Sequence, residues 1–276
     1  MQSNVYADLH IHTTASDGTF SPKEAVENAA KIGLGAAAIT DHDSVDSLPD
    51  ALATGKSLGV EIVPGIEMGS DISDRDIHIL GYYIDYRDRA FRASLEDLKL
   101  KRLSRAEEMC RRLSERGLNV TVGESLKLAT GGVLTRAHIA RAVVGKGLAP
   151  SVSDVFEKHL GNGQPCFVPK YNLSAVEVIS VIKDIGGIPV LAHPKLSRID
   201  AEIADFASHG LMGIEAYCLD HDAADVARYI SIAENLGLLV TGGSDCHGPR
   251  TPGRFMMGAC GVDKERFEAL KAAGGR

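Results

Sequence analysis

The chain has 276 residues, of which 44% are hydrophobic and 24% are charged, and its formal net charge is −7. This composition is ordinary for a folded globular protein, and the acidic excess excludes a general electrostatic attraction to nucleic acid. No apolar run approaches the roughly 18 residues of a membrane span, and residues 1–20 lack the features of a secretory signal. We therefore expect a cytoplasmic protein that has neither duplex DNA nor a membrane as a partner.

The cysteines agree with that location. There are five of them, they are widely spaced, and none forms a C-x-x-C pair. An odd and scattered set argues against both a disulfide framework and a zinc ribbon. A reducing cytoplasm fits this pattern best.

Short apolar runs predict seven β-strands, most of which end in residue types that ligate metals. The opening strand ends in His10 and His12, whose i, i+2 spacing points both imidazoles to the same side. Asp17 follows in a short loop within reach of the same place. The predicted strands cover residues 6–12, 35–40, 60–66, 76–84, 188–192, 211–217 and 238–241.

Helix signals fall between these strands. Ser21 with Glu24, and Ser174 with Glu177, have the spacing of a capping box, which predicts a helix start. Strands that alternate with helices are typical of an α/β fold. We favour a distorted seven-stranded (β/α) barrel over an open doubly wound sheet, because ligands from the first to the last strand converge more easily around a closed ring.

The strand signal disappears in the middle of the chain. Residues 87–116 predict a long charged helix, and shorter helical segments follow it. We therefore predict a barrel built from residues 1–84 and 173–276, with a mostly helical insertion, the cap, over residues 85–172.

The histidine and carboxylate residues mostly follow the carboxyl ends of predicted strands, where parallel barrels build their active sites. Neutral imidazoles and carboxylates suit zinc, manganese or iron. The set exceeds the needs of one tetrahedral ion, so two or three divalent metal ions are implied. The candidate ligands are His10, His12, Asp17, His42, Glu67, His78, His193, Asp245 and His247.

Six motifs occur in order along the chain, namely D-L-H-I-H, T-D-H-D, G-I-E, H-I-L-G-Y, A-H-P and G-G-S-D-C-H. Through them the sequence resembles, over almost its whole length, the PHP family of metal-dependent phosphoesterases, which belongs to the amidohydrolase-like barrels. It is similar to the branch with a helical insertion after the fourth strand. Members of that branch include 3′,5′-nucleotide bisphosphate phosphatases and RNase-AM-like exonucleases.

Carried over position by position, the resemblance implies three metal sites. The first ion would be held by His10, His12, Glu67 and Asp245. The second would be held by Glu67, His78 and His193, which makes Glu67 a bridge. The third would be held by Asp17, His42 and His247. Manganese is the expected metal, with zinc, iron(II) and magnesium as alternatives.

Cationic residues are the candidates for binding a second phosphate. Residues 87–116 hold ten Lys/Arg and six Asp/Glu, a local charge of +4 that is either plain surface or a guide for anions. The resemblance places Arg136 and Lys170 over the barrel mouth, and a guanidinium matches phosphate geometry well. The candidate substrate-binding residues are Arg136, Lys170, Arg198, Arg250 and His138.

The expected reaction is hydrolysis of the 3′-phosphate of a nucleoside 3′,5′-bisphosphate, such as pAp to AMP and phosphate, by a metal-bridging hydroxide. The catalytic candidates are Glu67, Asp245 and His221. The proton donor for the leaving oxygen stays open among His221, Asp43 and a metal-bound water.

Three alternatives share parts of this pattern. Two are enzymes, a 5′→3′ exonuclease acting on short RNA and a histidinol-phosphate phosphatase. The third is a metal-binding regulatory module without activity. The intact ligand set argues against this last alternative, because loss of ligands is the simplest mark of an inactive site.

Overall fold

A computed structural model describes residues 5–72, 75–129, 134–169, 173–249 and 256–275. The strands are β1 (Ala7–Ile11), β2 (Ala36–Ile39), β3 (Glu61–Ile72), β4 (Arg75–Tyr82), β5 (Ile188–Leu191), β6 (Gly213–Tyr217) and β7 (Leu239–Gly242). The α-helices are α1 (Pro22–Lys31), α2 (Leu48–Leu58), α3 (Arg89–Ser114), α4 (Val122–Leu126), α5 (Arg136–Gly145), α6 (Val152–Val155), α7 (Ala175–Asp184), α8 (Pro194–Ser197), α9 (Ile203–Ser208), α10 (Ala223–Leu236) and α11 (Lys264–Ala273). A π-helical turn (Phe156–Leu160) and a 3₁₀ turn (Asp200–Glu202) complete the elements.

The seven strands form one sheet in the order β1 to β7. The segment that follows β7 reaches β1, where Ile11 forms a parallel bridge to Cys246 and the His12 amide donates to the Cys246 carbonyl at 2.9 Å. The sheet is therefore a nearly closed barrel. The predicted seven-stranded α/β barrel is confirmed.

One strand departs from the parallel arrangement that placed the ligands at strand ends. β4 pairs antiparallel with both β3 and β5. Only two residues separate β3 from β4, and a parallel pair would need a crossover of about a dozen or more. His78 consequently comes from within β4 rather than from the carboxyl end of a strand.

The barrel interior below the candidate ligands is filled with apolar side chains. Val63, Leu80 and Tyr82 belong to one buried cluster. Strand periodicity puts Glu67 on the same face of β3 as Val63, and His78 on the same face of β4 as Leu80. The candidate ligands therefore lie directly above the apolar filling of the barrel.

Local signals explain the helix starts. Ser21 and Glu24 form the predicted capping box at α1, and Ser174 and Glu177 form the predicted one at α7. Helix α3 forms almost over the predicted range, with Asp88 accepting a hydrogen bond from the Phe91 amide at 2.8 Å. These caps satisfy amide groups that have no partner inside the helix.

The segment between β4 and β5 is helical and has its own buried cluster. Leu113, Ile139, Val143 and Leu160 are fully buried in that cluster. Among the described residues, none of the helices combines the length and the hydropathy that a membrane crossing requires. The predicted boundaries of the barrel and the cap stay a prediction.

Close packing requires a glycine at position 243, directly after β7. A Cβ on Gly243 would lie 2.3 Å from the Cβ and 2.5 Å from the amide nitrogen of His10. We expect Gly243→Ala to lower the free energy of unfolding by about 1–3 kcal/mol or more, because overpacking forces β1 to move. Gly145→Ala is the matched control, since no atom of the described residues lies within 4 Å of a Cβ at Gly145. Urea unfolding measures both, and equal effects would contradict this packing argument.

Candidate metal centre

The nine predicted ligands converge at one end of the barrel. Glu67 lies at the centre of the cluster and is 1% exposed. Its Oε2 atom is 3.3 Å from His10 Nε2, 3.1 Å from His12 Nε2 and 3.1 Å from His42 Nδ1. Asp245 lies beside these imidazoles, and its Oδ1 atom is 3.1 Å from His12 Nε2. In the first group, His10, His12, Glu67 and Asp245, the ligand atoms all lie within 4.8 Å of one another.

The other oxygen of Glu67 faces a second pair of imidazoles. Oε1 is 2.8 Å from His78 Nδ1 and 3.1 Å from His193 Nε2. His42, Glu67 and His78 form a second group within 4.8 Å. For the second ion the resemblance had implied His193 together with Glu67 and His78, and this group contains His42 in its place. Both histidines touch this carboxylate.

A third group lies on the outer side of His12. His247 Nε2 is 3.2 Å from Asp17 Oδ1, and His42 Nε2 is 4.0 Å from Asp17 Oδ2. His12, Asp17, His42 and His247 have ligand atoms within 4.8 Å of one another. This group contains the three residues expected for a third ion and adds His12, whose two ring nitrogens face different groups.

The residues fit divalent metal ions. Several buried nitrogen and oxygen atoms of the cluster have no hydrogen-bond partner among the described residues, and leaving such atoms unpaired is unfavourable. A cation bound among imidazoles and carboxylates would satisfy them. These atoms are His10 Nε2, both ring nitrogens of His12, Asp17 Oδ1, Glu67 Oε2, His193 Nδ1 and Asp245 Oδ1.

Charges in the cluster are strongly coupled. Burial alone would raise the pKa of Glu67, but His42, His78 and His10 outweigh it and hold this pKa well below its usual range. Burial would lower the pKa of His12, but Asp245 and Glu67 raise it to about 10. The carboxylates are therefore ionised, and the imidazoles compete with metal ions for them.

Buried carboxylates outside the predicted ligand set hold the loops in place. Asp41 accepts hydrogen bonds from the amide of Thr13 at 2.7 Å and from the hydroxyl of Ser16 at 2.7 Å, which fixes the loop that carries Asp17. Asp8 accepts from the amide and the hydroxyl of Ser244 at 2.9 and 2.6 Å, which fixes the loop before Asp245.

Sequence reasoning did not single out Asp8 or Glu215. Burial raises the pKa of Asp8 to about 6, against several hydrogen bonds that lower it. Glu215 lies in β6, where its Oε1 accepts from His10 Nδ1 at 3.0 Å and its Oε2 accepts from the His193 amide at 2.8 Å. An acidic residue inside an otherwise apolar strand was the available signal at Glu215.

An open pocket of about 160 Å³ lies over the metal centre. Asp17, His42, Asp76 and His78 line its barrel side. Its cap side is lined by Arg102, Arg105, Thr135, Arg136, Ala137 and Phe156. From the sequence, Arg102 and Arg105 were predicted only to lie on the long charged helix. They were not predicted to line the site, because helical periodicity alone does not tell which face of α3 meets the barrel.

Each pocket arginine is held by named partners. Arg102 forms an ion pair with Asp43. Arg105 Nε donates to the Val168 carbonyl at 2.7 Å. Arg136 Nη1 donates to Asn162 Oδ1 at 2.9 Å. The guanidinium groups are therefore oriented by the cap and by the barrel rim.

Three of the other predicted residues are among the described residues, and none of the three lines this pocket. His138 is buried in the first turn of α5, with Nδ1 accepting from the Thr135 amide at 3.2 Å. His221 Nδ1 is 2.8 Å from the Ala216 carbonyl oxygen, and its ring packs on Tyr229. Arg198 is exposed and lines a separate pocket that also includes Tyr229. Lys170 and Arg250 lie outside the described residues.

Residues 8–115 match the family model for the PHP domain. The chain is 33% identical over 252 residues to a 5′-3′ exoribonuclease, Rnm, of Salmonella typhimurium, with 89% of this chain and 86% of the relative covered. It is 31% identical over 253 residues to a 3′,5′-nucleoside bisphosphate phosphatase of Chromobacterium violaceum, with 90% and 89% covered. It is 33% identical over 247 residues to a phosphoribosyl 1,2-cyclic phosphate 1,2-diphosphodiesterase of Eggerthella lenta, with 87% and 94% covered.

A solved structure agrees with these relatives. A Bifidobacterium adolescentis protein described as a metal-dependent phosphoesterase superposes with a TM-score of 0.89 at 29% identity, over 99% of both chains. The fold and the cluster define a metal-dependent phosphoesterase. The chain belongs to the PHP family.

The raised histidine pKa values predict a pH dependence. His12 and His78 have folded pKa values of about 10 and about 9, above the unfolded value of about 6.5. The stability that they contribute is full below pH 6.5 and is lost as pH rises through 9 to 10. EDTA-treated protein should therefore have a lower urea midpoint at pH 9.5 than at pH 6.5.

Metal binding should show the opposite trend, because these imidazoles must lose their protons to become ligands. The affinity for Mn²⁺ should rise over the same pH interval. His209→Asn, at an exposed histidine after α9, is the control and should keep both trends. A metal affinity that is flat from pH 6.5 to 9.5 would contradict the assignment of His12 and His78 as ligands.

Proposed function

We propose that the protein is a phosphomonoesterase that removes the 3′-phosphate from nucleoside 3′,5′-bisphosphates such as pAp. The observation that carries this proposal is the pairing of a metal centre with three arginines across one small pocket. Such a site can receive two phosphates of one small nucleotide, one at the metal centre and one at the arginines. The 31% sequence identity to the bisphosphate phosphatase of Chromobacterium violaceum supports this proposal.

The three groups of the cluster would hold the metal ions. Glu67 would bridge two ions, because each of its oxygens faces a different set of imidazoles. Asp245 would complete the first ion together with His10 and His12. When bound, the metal ions would stabilise charge on the reacting phosphoryl group and activate water at neutral pH.

The cap would bind and orient the phosphate that does not react. Arg136 is fixed between the Asn162 side chain and the faces of two aromatic rings, Phe156 at 5.7 Å and Phe167 at 5.4 Å. A guanidinium that is already oriented can donate two parallel hydrogen bonds to phosphate. Arg102 and Arg105 would add positive charge on the same wall of the pocket.

The side chains considered as proton donors have other partners. The His221 Nδ1–H group donates to the Ala216 carbonyl, and His221 does not line the pocket. Asp43 is paired with Arg102, which favours its ionised form. A role for His221 or Asp43 in protonating the leaving oxygen therefore has no geometric support.

A second candidate function is 5′→3′ exonuclease activity on short RNA. The Salmonella typhimurium relative carries that name at 33% identity over 252 residues. Both activities use the same metal centre and differ in the bond that is broken. The pocket arginines, Arg102, Arg105 and Arg136, can hold the 5′-phosphate of either substrate.

A product analysis tests the proposal. The manganese-loaded protein is incubated with pAp, with 3′-AMP and 5′-AMP, with histidinol phosphate, and with 5′-phosphorylated RNA of two to five nucleotides. The proposal expects inorganic phosphate and AMP from pAp at the highest kcat/KM of the series. Release of mononucleotides from RNA together with no phosphate from pAp would favour the exonuclease instead.

Arg136→Ala should impair the bisphosphate reaction far more than the reaction of 3′-AMP. Losing a hydrogen bond to a charged group costs about 1.5–3 kcal/mol, which is roughly a 10- to 150-fold loss in kcat/KM. The paired substrates differ only in the 5′-phosphate, so steady-state kinetics isolates its contribution.

Arg141→Ala is the matched control for this prediction. Arg141 lies on the same helix, is exposed and does not line the pocket. It should leave both substrates unchanged. Equal losses on both substrates for Arg136→Ala would remove Arg136 from a second phosphate site.

A further inference from the structure

Glu215 is a fully buried carboxylate beneath the metal centre. It lies in β6 and is 0% exposed. In the part of the chain that the structure describes, no lysine or arginine forms an ion pair with it, and its polar contacts are with two candidate ligands. A buried carboxylate is unfavourable unless its oxygens are satisfied. The two contacts therefore account for its presence.

We propose that Glu215 is the positioning residue that prepares His10 and His193 to bind metal. It would do so through the ring of one histidine and the backbone of the other. The proposal rests on the proposed assignment of these two histidines as ligands. Glu215 itself would not touch the metal ions or the substrate.

The first contact fixes the imidazole of His10. Glu215 Oε1 is an acceptor 3.0 Å from His10 Nδ1, so Nδ1 must carry a proton. In the neutral ring, which is the form that ligates metal, the opposite nitrogen Nε2 then carries the lone pair. Nε2 lies 3.3 Å from Glu67 Oε2 and 3.5 Å from Asp245 Oδ1. This is the nitrogen that the first metal group requires, and Glu215 selects it.

The second contact fixes the backbone of His193. His193 has φ +27° and ψ +57°, outside the ordinary range for a residue with a side chain. Its amide donates to Glu215 Oε2 at 2.8 Å. A conformation of this kind persists only where the surroundings hold it. In this conformation His193 Nε2 stands 3.1 Å from Glu67 Oε1.

Both donors need an acceptor oxygen, which explains why a carboxylate is required. A glutamine has nearly the same shape but offers one oxygen and one NH₂ group. In Glu215→Gln, the NH₂ group must face either the His10 Nδ1–H or the His193 amide. Either His10 changes tautomer and loses its ligand nitrogen, or His193 loses the partner of its strained backbone.

Metal titration of the purified protein tests this proposal. We expect Glu215→Gln to weaken Mn²⁺ binding about 10- to 100-fold, the range typical for residues that orient a metal ligand. Glu61→Gln is the matched control because Glu61 is also a strand residue, and its carboxylate pairs with Lys271. It should bind Mn²⁺ like the wild-type protein.

His10→Ala separates the two possible failures. If His10→Ala loses metal affinity while Glu215→Gln keeps it, Glu215 is not a positioning residue and the proposal is overturned. If His10→Ala itself keeps full affinity, the ligand assignment fails, and the proposal falls with it. Phosphatase activity is not needed for either reading.

A second measurement on the wild-type protein stands even if Glu215→Gln does not fold. In Zn²⁺-loaded protein labelled with ¹⁵N, His10 should show a proton on Nδ1 that exchanges slowly, and a ¹⁵N shift at Nε2 typical of a metal-bound nitrogen. A proton on Nε2 of His10 would overturn the proposal.

Discussion

The structure depends on the burial of the Glu67 carboxylate among five imidazoles. Its two oxygens lie within about 3.3 Å of nitrogens from His10, His12, His42, His78 and His193. Such a centre is unfavourable in an apolar barrel unless its charges and lone pairs are matched. Bound metal ions would match them, and metal binding would then be coupled to the folding of the cluster. The burial of Glu67 among imidazoles therefore bears on both the chemistry and the stability of this end of the barrel.

The cap contributes positively charged arginines to the pocket over the candidate metal centre. Asp76 links the two parts, since its carboxylate is 3.4 Å from His78 Nε2 and 3.5 Å from Arg136 Nη2. Asp43, next to the candidate ligand His42, forms an ion pair with Arg102. Acidic residues beside the candidate metal ligands thus hold the arginines of the cap against the barrel rim. An anionic substrate would enter between the arginines of the cap and the metal ions that the cluster would hold. This local positive charge would attract it although the net charge of the protein is −7.

Backbone geometry supports the site from below. Asp245 and His193 both have positive φ values, of +50° and +27°, in loops that follow β7 and β5. Strain of this kind is held by backbone amides that donate to buried carboxylates. Ser244, in the loop of Asp245, donates to Asp8, and His193 donates to Glu215. The antiparallel strand β4 makes a different contribution, because it lets His78 enter the cluster from within a strand.

The sequence by itself determined the strand and helix order, the capping boxes and the types of ligand, because these depend on local periodicity and on residue chemistry. It also indicated where the ligands would meet, because strand ends share one face of a barrel. Only the tertiary structure decided which histidines share each oxygen of Glu67, which face of α3 turns Arg102 and Arg105 toward the pocket, and that Glu215 lies against His10. His10 and Glu215 are 205 positions apart in the chain. Contacts of that range depend on the closure of the barrel, and no local pattern in the sequence carries them.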